Sequence, residues 1–389
     1  MCIRDRLITA LLFVFLYRKC LPRHYLYIVV LFLILATPGV SISLARITGP
    51  YEIYYEAREL SKVLYGPMLV LMYFLLIRTY RLSTTKLLGF IEYTAYFVGL
   101  SLLLMQLLGI GFTEGQGSIW AKGFFSSQND ISLALALLLS VAVFNNITNP
   151  GTVRFVLLLM SLSGLALIGQ RVALASVVLI PIAVIAVLSY GRSLDWSGDR
   201  KKKFFSIVIP LSVITLIITG YLGYKNIDTF SRPITKIKAN IEGHGQRIEL
   251  YKIGTSQLQD RSTVEKIFGE GATSYQKWIY KRYGYKPPGG YRLVEMDWMD
   301  LYGAYGIAFV VLIYSFLLYL WIRLLHEFVR IRNPEVGLFL LMISLYTLNS
   351  LVVGHALTGP MPTSVIAPVI AIALLRWRGI DQPAEPLRH

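Results

Sequence analysis

The amino-acid sequence predicts an all-α polytopic membrane protein with about 11–12 transmembrane helices and one large external helical loop domain. Three observations carry that expectation. Hydrophobic residues make up 55% of the 389 residues and charged residues only 15%, with a mean hydropathy of +0.58. This composition excludes a water-soluble globular chain. Apolar runs recur along the whole sequence, most of them near spanning length once flanking residues are counted. The connections between them alternate between rich and poor in Lys and Arg, as loops on the two sides of a bilayer do. The formal net charge of +16 is therefore a topological signal, and no nucleic-acid partner is inferred from it.

The first run, Leu7–Tyr17, is apolar but too short to span, and Met1 to Arg6 resemble no signal-peptide n-region. A truncated or partly non-native start, with one span missing upstream, is the expectation. Leu26–Ser43 and Val63–Ile77 follow. Residues 45–61 between them read as an external connection in which Arg46 and Arg58 are balanced by Glu52, Glu56 and Glu59. Next come Leu87–Ile110, Ile131–Phe144, Thr152–Ile168, Val172–Ser189 and Phe204–Leu222. Leu301–Leu325, Gly337–Val353 and Ser364–Leu375 complete the series.

Sidedness follows from the loops. Arg18, Lys19 and Arg23 follow the first run, and Arg78, Arg81 and Lys86 the third. Arg154 follows the fifth, Arg192 and Arg200 to Lys203 the seventh, Arg323, Arg330 and Arg332 the ninth, and Arg376 and Arg378 the last. These are the cytoplasmic connections, and the C-terminus is inside. Residues 111–130 hold a single Lys and are external. The chain thus divides into residues 1–222 with eight helices, an external loop domain at 223–300, and residues 301–389 with three helices and a cytoplasmic tail.

The loop domain is polar, rich in aromatic residues, and carries 13 Lys and Arg against 9 Asp and Glu. A basic excess on the face where short loops avoid basic residues points to an anionic substrate. The only cysteines, Cys2 and Cys20, lie outside it, so no disulfide staples it and no cysteine-based metal or redox site is expected. No HExxH, Walker loop, GxSxG or paired CxxC occurs. No metal ion or cofactor is expected.

Individual residues sharpen the anion reading. Arg171, in Gly169-Gln170-Arg171, sits between two apolar runs at the outer boundary. An Arg beside hydrocarbon is costly unless it snorkels to the interface or meets a partner, so it is either a hairpin-tip Arg or an anion ligand. Arg247 precedes Ile248, Leu250, Ile253 and Leu258, whose spacing predicts a helix starting near Gln246. An Arg beside the free N–H groups of a helix start is a competent phosphate clamp, while the residue taken alone reads first as a solvated surface Arg. Glu295, Asp297 and Asp300 precede a membrane helix. They fit either a general base toward a hydroxyl or acids complementing the helix macrodipole. Arg292, Trp298, Asn129 and His355 are further candidate substrate contacts, and the loop tyrosines and tryptophans suit sugar faces as well as the membrane interface.

These residues fall in motifs whose order resembles the O-antigen ligase and polymerase superfamily of polytopic membrane glycosyltransferases. Phe124 to Asp130 is similar to its Asn-containing outer-loop motif, and Gly169-Gln170-Arg171 with Leu174 to its Gly-Ser-Arg motif. Arg247 followed by Gly269-Glu270-Gly271 and Tyr275 resembles the second-Arg stretch, and Leu301 to Ile307 the Gly-rich start of the next helix. The resemblance implies a metal-independent inverting enzyme that polymerises undecaprenyl-diphosphate-linked oligosaccharide units into surface polysaccharide. Arg171 and Arg247 would bind the diphosphate, with Glu295 or Asp297 as base or acceptor positioner. It places the chain in a bacterial cytoplasmic (inner) membrane, with the loop on the periplasmic side and a flippase and chain-length regulator as partner proteins. Ligases of the superfamily carry a His-Asn pair where this chain reads Arg292 to Asp297, which favours the polymerase branch. A ligase using a lipid or protein acceptor, and a lipid-linked oligosaccharide flippase, are the alternatives.

Topology fusions test the sidedness. A green fluorescent protein fused after His389 should fluoresce, and alkaline phosphatase inserted near Lys286 should be active. The opposite pattern would reverse the orientation.

Overall fold

A computed structural model describes residues 23–47, 49–80, 82–110, 112–113, 121–123, 127–168, 170–191, 246–283 and 290–376, and of these the backbone alone for 23–29, 112–113, 121–123, 171 and 246–247. The expected runs Leu7–Tyr17 and Phe204–Leu222 lie outside the described residues, as do Gly169 and Lys201–Lys203.

Among the described residues twelve helices form: α1 (Arg23–Arg46), α2 (Pro50–Tyr80), α3 (Thr84–Leu108), α4 (Gln128–Thr148), α5 (Thr152–Leu167), α6 (Arg171–Tyr190), α7 (Gln246–Gln259), α8 (Thr263–Phe268), α9 (Ala272–Arg282), α10 (Asp297–Ile331), α11 (Pro334–Val352) and α12 (Pro360–Arg376). Among the described residues the only strands are β1 (Phe112–Thr113) and β2 (Ala121–Gly123), an antiparallel pair. Among the described residues six helices are long and apolar enough to cross a membrane, and three shorter ones are also apolar. The protein is an all-α polytopic membrane protein.

Local chemistry sets the helix starts. Pro50, Pro334 and Pro360 each open a helix, where the missing N–H costs nothing and the fixed φ helps. Ser83 and Ser127 cap α3 and α4 by accepting from Lys86 N at 3.3 Å and Asp130 N at 3.4 Å. Asn333 does the same for α11 through Glu335 N at 2.8 Å. The proline starts shift the expected boundaries. The helix expected from Val63 begins at Pro50, so most of the presumed 45–61 connection is helical.

The chain divides into two compact units, each discontinuous in sequence. The first comprises residues 1–81, 237–320 and 347–389. Here α1, α2, α9 and the start of α10 share a core of Phe32, Ala36, Val63, Ala272, Tyr305, Phe309 and Ile313. A second core, Leu250, Leu258, Tyr275, Ile279, Tyr283, Val294 and Met299, joins α7 and α9 to the segment before α10. The second unit comprises residues 82–236 and 321–346. Its central helix is α4, buried along nearly its whole length against α3, α5 and α6, as an all-round apolar helix must be. In the same unit α3 and α5 cross at small residues: a Cβ on Gly164 would lie 2.2 Å from the Gly99 carbonyl oxygen, and one on Gly99 2.5 Å from Ser161 Cβ. Such backbone-to-backbone approach is how membrane helices gain contact without a hydrophobic driving force.

In the first unit α10 is broken at Gly306, where φ is 81° and ψ 174°. A break leaves carbonyls on its N-terminal side without their usual partners. Those of Gly303 and Ala304 instead accept from Glu270 N at 3.4 Å and Gly271 N at 2.8 Å. The Gly269–Gly271 turn thus docks into the break, with φ of +79° at Gly269 and +83° at Gly271. There is no room for side chains: a Cβ on Gly269 would sit 2.2 Å from Ala304 O, and one on Gly306 2.1 Å from Ile267 O. Two motifs separated in sequence, Gly269-Glu270-Gly271 and Leu301 to Ile307, form one joint.

Gly269→Ala or Gly306→Ala should each cost about 3 kcal/mol or more, combining a left-handed backbone with a backbone clash. Gly290→Ala, also at positive φ but in open space, should cost only about 1 kcal/mol. Thermal unfolding in detergent would rank them, and equal losses at all three would contradict the joint.

Candidate functional site

In the second unit, the Asn129 and Arg171 motifs meet. The Gln170 side chain donates to Gln128 Oε1 at 2.8 Å, and Gln128 Nε2 donates to the Ile168 carbonyl at 3.5 Å. Asn129 lies half-buried in the first turn of α4 and Arg171 is the first residue of α6. Because the Gln170 side chain is drawn to Gln128, it does not cap α6. The α6 N-terminus therefore presents backbone N–H groups next to an arginine, the chemistry of an anion site.

In the first unit, α7 starts at Gln246 as the apolar spacing predicts, so Arg247 also falls in a first helical turn. The acidic segment is ordered by its carboxylates. Asp297 is 2% exposed and accepts from the backbone N–H groups of His355, Ala356 and Leu357, each at 2.8 Å, and from Thr358 Oγ1 at 3.2 Å. It fastens the α11–α12 turn to the start of α10. His355, at φ 64°, contributes its backbone to this contact. Asp300 accepts from Val294 N at 2.9 Å and Glu295 N at 3.1 Å. Glu295, at φ 69°, pairs with Arg292 at 2.8 Å, and the Arg292 guanidinium lies 5.4 Å from the Tyr283 ring centroid. Trp298 is half-buried, its ring 6.4 Å from that of Tyr251. Arg292, Glu295, Asp297 and His355 are thus gathered at one place, Glu295 and Arg292 as an ion pair and Asp297 as a structural clamp.

Sequence reasoning passed over the start of α2. Glu52, Glu56, Glu59 and Lys62 recur at helical spacing there, a pattern visible once Pro50 is taken as a helix start. Glu56, 1% exposed, accepts from Ala272 N at 3.0 Å, Thr273 N at 2.8 Å and Ser43 Oγ at 2.8 Å. It caps α9 from another helix, since Gly271 has no side chain to do so. Glu52 pairs with Lys277. Tyr55 stacks on Tyr291 at 3.8 Å and 11°, with the Arg58 guanidinium 4.4 Å from its ring centroid. Beside them Arg46 bridges Glu265 at 2.5 Å and Glu270 at 3.0 Å, and Glu270 also binds Arg261 at 2.6 Å. The hydrogen bond from Arg46 holds the Glu265 carboxyl below the usual carboxylate range. Burial pushes the Tyr275 phenol well up. Among the described residues no three His, Cys, Asp or Glu side chains are grouped to hold a metal ion.

No protein-family model, curated protein or solved structure matches the chain. The class defined by the helices themselves is that of a multi-pass membrane protein.

Asp297→Ala would strand three N–H groups, that of Ala356 buried and those of His355 and Leu357 partly buried, and a buried unpaired group costs about 1–3 kcal/mol. A loss of stability of about 3 kcal/mol or more is expected in thermal or denaturant unfolding. Unchanged unfolding would remove the clamp role.

Proposed function

We propose that this protein is a membrane glycosyltransferase that polymerises undecaprenyl-diphosphate-linked oligosaccharide units into surface polysaccharide. The observation that carries the reading is the start of α6, where Arg171 opens a helix whose cap residue is engaged by Gln128. A helix start without a side-chain cap whose first residue is an arginine suits a phosphate oxygen, because a guanidinium binds phosphate in bidentate fashion. Arg247, in the first turn of α7, is assigned the same chemistry. The acceptor hydroxyl attacks the donor anomeric carbon, the bond from that carbon to the diphosphate breaks, and the lipid diphosphate leaves with inversion. Both oxygens of Asp297 are occupied by the 355–358 turn, so the acceptor-positioning role goes to Glu295 with Arg292. In this proposal the chain lies in a bacterial inner membrane with residues 223–300 periplasmic and the C-terminus cytoplasmic. It works beside a flippase and a chain-length regulator.

The test is incubation of purified protein with a lipid-diphosphate oligosaccharide. Longer products and free lipid diphosphate are expected. Arg171→Ala and Arg247→Ala should each lower turnover about 100-fold, the scale for losing one donor to a developing anion, and Lys should restore part of it. Glycan transfer only to a different acceptor would mark a ligase. Movement of unchanged lipid across the bilayer would mark a flippase and end the proposal.

A further inference from the structure

We propose that Glu59 accepts the proton from the acceptor hydroxyl, a step that rests on the glycosyl transfer proposed above. The carboxylates of the first unit differ in what their oxygens do. Both oxygens of Glu56, Glu265, Glu270, Asp297 and Asp300 take hydrogen bonds from protein groups. Glu59 is arranged otherwise. Its Oε1 accepts from Arg58 Nε at 3.1 Å, Arg58 Nη2 at 2.8 Å and Lys62 Nζ at 2.6 Å. Among the described residues no hydrogen bond reaches Oε2. One oxygen is anchored by two cations and the other is left to accept.

Position and shielding fit the role. Glu59 is 6% exposed, while its neighbour Arg58 has a side chain 40% exposed and leads from it to the surface. Arg58 is held in place by the Tyr55 ring, and Tyr55 by its stack on Tyr291. The 31 residues of α2 extend about 46 Å, against a hydrocarbon core of about 30 Å. The apolar part begins at Val63, so Glu59 lies about 6 Å along the helix axis from it. That is headgroup level, where the sugar–diphosphate bond of a lipid-anchored donor must lie. In the step itself, the hydroxyl proton passes to Glu59 Oε2 as its oxygen bonds to the anomeric carbon. The carbon–oxygen bond to the diphosphate breaks, and the proton is later lost to water.

The experiment follows elongation of a lipid-diphosphate oligosaccharide by wild type, Glu59→Gln and Glu59→Asp, with thermal unfolding of each. In Glu59→Gln kcat should fall about 100-fold or more, the usual contribution of a general base, with KM within threefold. Glu59→Asp, which keeps a carboxylate, should lower kcat only about tenfold. Glu59→Gln within threefold of wild type, or a loss that falls on KM instead of kcat, would overturn the assignment. If Glu59→Gln does not fold, a Glu59→Asp variant at full wild-type rate would overturn it. Absence of elongation by wild type would instead fail the glycosyl-transfer reading, and this inference with it.

Discussion

The first unit depends on one constraint, the seating of the Gly269–Gly271 turn in the break of α10 at Gly306. A helix that stops obeying its own ladder must give its carbonyls to something else. Here Glu270 and Gly271 take them, and the approach is so close that Gly269 and Gly306 are required on steric grounds alone. Other features follow from that seating. Gly271 begins α9, so α9 needs a cap from elsewhere, and Glu56 supplies it. Glu270, carried by the same turn, is thereby placed between Arg46 and Arg261. The long α2 and the short α9 are joined by a carboxylate and two backbone N–H groups rather than by apolar packing alone.

The same economy recurs at Asp297. Burying a carboxylate is costly where its oxygens lack donors, and at Asp297 three consecutive N–H groups of the α11–α12 turn meet them. Polar groups at the end of a membrane protein are expensive unless satisfied. In the first unit they are satisfied mostly by contacts between segments distant in sequence, such as Ser43 with Glu56 and Arg46 with Glu270.

The legible part of this fold was whatever depends on local pattern. Apolar runs located the described spans, and the spacing of Ile248, Leu250, Ile253 and Leu258 gave a helix from near Gln246, where α7 lies. The 50–62 segment was illegible because its charges mask its periodicity. Glu52, Glu56 and Glu59 look like loop residues until their partners on α9 and the side chains of Arg58 and Lys62 are known, and those partners lie up to 225 residues away. Individual candidates were legible in kind but not in use. An acid before a membrane helix can act on a substrate or hold a turn, and only the three N–H groups around Asp297 decide what it is doing here. Gly269-Glu270-Gly271 and Leu301 to Ile307 could each be read as a motif, whereas their mutual contact is a tertiary fact.

One detail of α2 has a mechanical side. Pro67 lies within it and has no N–H to give the Val63 carbonyl, so the helix lacks a rung just past the carboxylate stripe. Bending stiffness is lowest there. The polar end is tied to α9 by Glu56, while the apolar end packs on α12 through Tyr65, Leu69 and Ala367. A change in bilayer thickness acts on the apolar end alone. With a soft joint between the two, such a load is absorbed as a bend at Pro67, and the geometry around Glu56 is insulated from the lipid in which the protein sits.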